Sequence, residues 1–172
     1  MLGIITTHFP IPHFTKLGLP EDTFAISCFR DPVKRVISHY NMLLNYRANN
    51  VNHPCMLTEG QWLGASFDDF LTAIPDEHLL NQLYMFSADL DVAEAVERVA
   101  GLSHFLFTED FDRGVKQLNK KTGFPICVMH RRSAKYLAVI SDDSMIRLRE
   151  KLESEYIFLD HVRKLKNVAG DA

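Results

Sequence analysis

The sequence is poor in the features that announce a specialised environment. Cys28, Cys55 and Cys127 are its only three cysteines, an odd number at long spacing. That excludes a disulfide framework and predicts reduced thiols in a reducing compartment. No run approaches the ~18 consecutive apolar residues of a membrane span. The opening, MLGIITTHFP, has neither the basic start nor the long apolar stretch of a secretory signal. The expectation is a soluble cytoplasmic chain with no membrane segment, the alternative being membrane association through a lost N-terminal anchor. Basic excess is missing too, with 19 Lys+Arg against 22 Asp+Glu and a net charge of −3. A general nucleic-acid binder is thereby excluded, although a local basic pocket is not. There is no internal repeat, no Walker-type loop and no G-x-S-x-G elbow. Cys127 and His130 make half of a zinc-like spacing with no second pair, so no metal is expected.

What is present suits one packed domain over residues 1–172: 47% hydrophobic and 24% charged residues. LGIITTHFP reads as a first strand stopped by Pro10 and Pro12, and TFAISCF as a second, apolar enough to be covered on both faces. Asp31 fits an N-cap and Pro32 the first turn of a helix running to about Tyr46. RANNVNHPCMLTEGQW reads as a polar loop, SFDDFLTAI and PDEHLLNQLYMFS as two short helices, and DVAEAVERVAG as a stronger one stopped by Gly101. SHFLFTED is a third strand candidate. The helix over DFDRGVKQLNKKTG should be capped by Asp110 and stopped by Gly123, and FPICVMHRRSAKY should be extended, then loop. The closing segment from Ser141 to Lys166 reads as a long amphipathic helix broken near Glu155. Trp62, Phe67, Phe70, Phe105 and Phe107 are expected in the core. Strands alternating with helices predict an α/β fold around a parallel sheet, with a helix-rich C-terminal half.

Arg30 falls where the second strand should end. Ligands of open parallel sheets bind beyond the carboxyl ends of the strands. A permanently charged guanidinium beside a helix start is a natural phosphate grip, the helix N–H groups adding to it. Ser38 follows eight residues later, on a helix face shared with Lys34, Asn41 and Asn45. Against this stands the plainer reading of a cap with a surface ion pair and a solvated serine. His8 closes the first strand candidate. On a parallel neighbour it emerges at the same sheet edge as Arg30, where an imidazole titrating near neutrality suits a general base. The plainer reading there is a backbone hydrogen bond at a strand end.

The segment FRDPVKRVISHYNML resembles the 3′-phosphate-binding segment of sulfotransferases that use 3′-phosphoadenosine 5′-phosphosulfate. The similarity is greatest to the heparan sulfate 2-O- and 6-O-sulfotransferase-like group and its bacterial relatives. Arg30, Asp31, Pro32, Arg35, Ser38 and Tyr40 fit that family's R-D-P-x-x-R-x-x-S-x-Y pattern. THFP resembles the segment holding the family's catalytic histidine, LLNQLYMFS its Asn-Gln helix, and HFLFTEDFDRGVKQLNKKTGFP its strand-Glu-helix segment, with Glu109 the matching acid. LREKLESEYIFLDHV resembles its closing helix with an acidic residue and tyrosine.

The resemblance implies a P-loop-like parallel sheet with flanking helices, and a cofactor 3′-phosphate held by Arg30 and Ser38. It implies His8 as the catalytic base and sulfuryl transfer to a hydroxyl of a carbohydrate-like acceptor, leaving 3′,5′-adenosine diphosphate. It also implies that Arg131, Arg132, Ser133 and Lys135 lie near the phosphate or the acceptor, the plainer reading being a solvated basic loop. The family's first strand and Lys-Thr-Gly loop, which cradle the 5′-phosphosulfate, have no counterpart before His8. The expectation is therefore a domain truncated at its N-terminus. KKTGFP, at Lys120–Pro125, has similar letters but is read as a helix stop. The alternative function is a catalytically inactive remnant that binds a nucleotide or a protein partner. A plain α/β interaction module is a third.

Overall fold

The computed structural model describes residues 10, 11, 20, 23–128 and 138–170, the last five by their backbone alone. The first strand candidate and residues 131–137 lie outside the described residues. A small parallel sheet sits among many helices. In order come β1 (Ile26–Phe29), α1 (Pro32–Ala48), α2 (Cys55–Thr58), a 3-10 turn (Glu59–Trp62), α3 (Phe67–Ala73), α4 (Asp76–Leu79), α5 (Asn81–Tyr84) and α6 (Val92–Ala100). Then follow β2 (His104–Phe107), α7 (Phe111–Thr122), α8 (Asp142–Lys151) and α9 (Glu153–Gly170). Among the described residues the sheet has two strands, with Ile26 opposite His104 and Phe29 opposite Phe107. The expected mixed α/β architecture with a parallel pairing is present.

Local chemistry sets the helix ends. Asp31 caps α1 by accepting the Lys34 N–H at 2.8 Å, and Pro32 occupies the first turn. Ser66 and Asp69 form a reciprocal capping box on α3, and the Ser66 hydroxyl holds Asp69 below the usual carboxylate range. Gly123 stops α7 with φ of 73°, a left-handed conformation that favours glycine, and its N–H bonds to the Asn119 carbonyl at 2.8 Å. KKTGFP is thus a helix stop. Asp110 stands at the N-cap of α7 without its side chain making the capping bond.

Three boundaries depart from expectation. The polar stretch 47–62 contains α2 and the 3-10 turn, single turns too short to show helical periodicity. The segment read as one helix over PDEHLLNQLYMFS is two one-turn helices, α4 and α5, parted at Leu80 (φ −103°, ψ 36°). The break expected near Glu155 falls at Leu152, between α8 and α9.

The two sheet faces are covered unequally. Paired residues of parallel strands share a face. One face carries Phe29, Phe105 and Phe107, and Phe29 is the centre of an aromatic cluster. Its ring lies 5.6 Å from Phe86, 5.7 Å from Phe107 and 5.8 Å from Phe158 of α9. Phe67 and Phe70 make a second aromatic group, 4.9 and 5.0 Å from Tyr40, with Trp62 half-buried against the core.

On the opposite face α7 covers β2 alone. His104 and Leu106 are buried there, and the His104 ring meets the Gly114 carbonyl at 3.2 Å. Cys28 and Ile26 of β1 remain exposed, Ile26 to 47%. The expectation that β1 is covered on both faces is therefore corrected: Phe29 is its one buried residue.

The approach of α7 to β2 depends on Gly114. A Cβ there would stand 2.6 Å from the Leu106 Cβ. Overpacking of this kind costs about 1–3 kcal/mol, against about 1 kcal/mol gained in helix propensity. Gly114→Ala should lower the midpoint of urea unfolding with little change in slope. An unchanged or higher midpoint would show that the helix can back away freely.

Candidate functional site

Both strands end at the same edge of the sheet. Arg30 and Asp31 leave β1 there, and Thr108, Glu109 and Asp110 leave β2 beside them. Phe29 anchors the junction in the core, so Arg30 begins where burial ends. Three side chains from distant segments then grip it. The Arg30 N–H donates to Gln82 Oε1 at 2.7 Å, and Gln82 Nε2 donates to the Arg30 carbonyl at 2.9 Å. The Asp31 N–H donates to Glu109 Oε1 at 2.9 Å. The Tyr156 hydroxyl donates to Asp31 Oδ2 at 3.1 Å. Burial, and then the adjacent Asp31 charge, push the Tyr156 phenol above its usual value, so it stays a donor.

Beneath the junction lies Glu155, fully buried. Its Oε1 accepts the N–H groups of Gln82 at 2.7 Å and Leu83 at 3.3 Å. It thereby caps α5 from far along the chain, where the residue preceding α5, Leu80, has no capping side chain. Its Oε2 meets Arg35 at 3.2 Å. The Arg35 guanidinium also donates to the carbonyls of His78, at 3.1 Å, and Leu79, the two residues that end α4. Arg35 Nε is buried with no hydrogen-bond partner among the described residues.

The anion-binding residues expected from the sequence fare differently. Arg30 is half-buried, and its guanidinium has no hydrogen bond or ion pair among the described residues. Ser38 is half-buried on α1, and its hydroxyl likewise has no partner among the described residues. Two of the helix N–H groups expected to assist are already committed to Asp31. Pro32 has none, Lys34 donates to the Asp31 side chain and Arg35 to the Asp31 carbonyl. Asp31 thus occupies part of the place an anion would need, while the Arg30 guanidinium and the Ser38 hydroxyl keep their donors.

Asn41, one turn beyond Ser38, is buried and accepts the Ala138 N–H at 2.9 Å. That bond ties the chain just after the basic segment to the helix face that carries Ser38. Arg131, Arg132, Ser133 and Lys135 themselves lie outside the described residues, as does His8. Ile11, close after His8, donates its N–H to the Met85 carbonyl at 2.8 Å, next to the end of α5.

A second polar cluster lies elsewhere on α1. His39 Nε2 meets Glu59 Oε2 at 2.6 Å, while Trp62 packs on His78 with ring centres 4.6 Å apart. Burial holds the His39 imidazole below its usual pKa in spite of Glu59. Cys28 and Cys55 are both pushed above the usual thiol value, by partial loss of solvation first, although Cys28 keeps an exposed surface, and then by Glu109 and Glu59 respectively. Neither therefore has the character of an activated thiolate. Among the described residues no group of three His, Cys, Asp or Glu is arranged to hold a metal, and no helix is long and apolar enough to cross a membrane.

Gln82, Glu155 and Tyr156 carry no role that sequence reading alone assigns. Their signal was slight: a glutamine, an acid and a tyrosine inside segments otherwise notable only for resemblance. Comparison with family models, with curated proteins and with solved structures finds no match.

Two outcomes follow from these contacts. Removing one partner of a buried ion pair typically costs about 3–5 kcal/mol, so Glu155→Leu should destabilise strongly, as read by urea unfolding. A loss below 1 kcal/mol on the same scale would mean that Arg35 and α5 find other partners. Because the folded His39 binds its proton less readily than the unfolded chain, its stabilising share is present above the unfolded value, about 6.5. That share is lost as pH falls through the lower folded value. His39→Gln should flatten this part of the stability–pH profile, and an unaltered slope would rule the effect out.

Proposed function

We propose that this chain is a sulfuryl-transfer domain of the kind that uses 3′-phosphoadenosine 5′-phosphosulfate, acting on a hydroxyl of a carbohydrate-like acceptor. The observation that carries the reading is the contrast within Arg30. Its main chain is held on both sides by Gln82, while its charged fork has no partner among the described residues. Such an unpartnered guanidinium at the carboxyl edge of a parallel sheet suits a phosphate monoester. Further support comes from the convergence on this junction of Gln82, Glu109 and Tyr156, from three segments that resemble the family.

In this reading Arg30 and Ser38 hold the 3′-phosphate of the nucleotide. Bound there, the cofactor would supply the activated sulfuryl group and a phosphate leaving group. His8 takes the proton from the acceptor hydroxyl, and Arg131, Arg132, Ser133 and Lys135 bind the acceptor or the phosphate. A second reading, a nucleotide-binding domain without turnover, is favoured by one observation. The single Lys-Thr-Gly sequence among the described residues ends α7 and does not form a phosphate-cradling turn.

Isothermal titration with 3′,5′-adenosine diphosphate and a transfer assay from the phosphosulfate donor test both. A hydrogen bond to a charged group is worth about 1.5–3 kcal/mol, so Arg30→Ala should weaken nucleotide binding on the order of tenfold to a hundredfold. Ser38→Ala should weaken it less. His8→Ala should abolish transfer and leave binding intact. Binding without transfer by the wild type would select the second reading. If Arg30→Ala binds as the wild type does, both nucleotide readings fail.

A further inference from the structure

We propose that Gln82 is a positioning residue whose side-chain amide aims the Arg30 guanidinium, and that Glu155 sets Gln82 in turn. The inference rests on the nucleotide reading above and deepens it. One planar amide meets both polar groups of the Arg30 main chain, at 2.7 and 2.9 Å, as a neighbouring strand would. Arg30 stands just beyond the last paired residue of β1, where the β2 ladder has ended at Phe29 and Phe107. Without the Gln82 amide its peptide groups have no partner among the described residues, and the base of the side chain loses its reference to the sheet.

Gln82 is buried, and its own N–H is fixed by Glu155 at 2.7 Å. Arg35 completes the support by tying Glu155 to the end of α4. Arg35 is thereby committed to the scaffold, and Arg30 alone of the two is left for an anion. A long, flexible side chain reaches a phosphate reproducibly only when its backbone is fixed, because a misplacement of about 1 Å is enough to cost much of an interaction.

The test compares full-length wild type with Gln82→Met and Gln82→Glu. Methionine keeps the volume and removes both hydrogen bonds. Glutamate keeps the shape and sets a carboxylate oxygen against the Arg30 carbonyl. Two quantities are read: amide hydrogen exchange of Arg30 relative to Asp31, and the ratio of affinities for 3′,5′-adenosine diphosphate and 5′-adenosine monophosphate. That ratio isolates the 3′-phosphate, so a merely structural loss does not move it.

The expected result is faster Arg30 exchange in Gln82→Met, with Asp31 still protected by Glu109, and a fall in the ratio on the order of tenfold in both variants. Retained discrimination in a folded variant overturns the proposal, whether or not Arg30 exchange changes. So does a lost ratio with unchanged Arg30 exchange in Gln82→Met. Should Gln82→Met fail to fold, Gln82→Glu decides by the ratio alone, because its carboxylate still accepts the Arg30 N–H. A wild type that does not distinguish the two nucleotides overturns the nucleotide reading itself and this proposal with it. Failure of the reading is thus seen in the wild type, and failure of the positioning role in the variants.

Discussion

A carboxylate sealed from water holds this molecule in register. Glu155 has no solvent exposure, and an ionised group in that position is costly unless its oxygens are matched. The matching comes from three directions: the Arg35 guanidinium on α1 and the Gln82 and Leu83 N–H groups opening α5. Because each contact is needed, α1, α5 and α9 have little freedom to slide against one another. Apolar packing around Phe29 brings these elements together without direction, whereas the Glu155 contacts choose one arrangement among many that would bury similar area.

Two arginines five positions apart in one segment show how that arrangement divides labour. Arg35 is spent on carbonyls and on Glu155, inside the scaffold. Arg30 spends only its main chain there, on Gln82, and keeps its charge available. Sequence alone presents both as basic residues of one motif. Their difference arises from which neighbour each meets, and both neighbours come from elsewhere in the chain. Asp31 divides in the same way, capping α1 with one oxygen and accepting Tyr156 with the other.

What the sequence made legible was local. The Asp31-Pro32 helix start, the Gly123 stop and the Ser66 cap depend on residues within a turn of one another, and propensity reads such signals directly. The parallel pairing was legible from strands alternating with helices. Single-turn helices such as α2 and α4 were not, because four residues carry no period. Nor was the break at Leu80, which lets Gln82 turn its N–H toward Glu155. At the candidate site the guanidinium and the hydroxyl were legible as chemistry. The commitment of the Lys34 and Arg35 N–H groups to Asp31 follows from the same cap signal, read for its consequence. The grips by Gln82, Glu109 and Tyr156 could not be read, since no local pattern links residues so far apart.

The separations have a bearing on how the molecule comes into being. The bond between Tyr156 and Asp31 spans 125 positions, and that between Arg35 and Glu155 spans 120. During synthesis the N-terminal part of a chain emerges first and can fold before the rest exists. Here β1 and α1 leave the ribosome early, with the partners that fix their junction still untranslated. The edge that carries Arg30 therefore acquires its final geometry only when α9 arrives. Until then the nascent chain exposes an incomplete sheet and an unmatched Arg35, an interval in which a chaperone has something to hold.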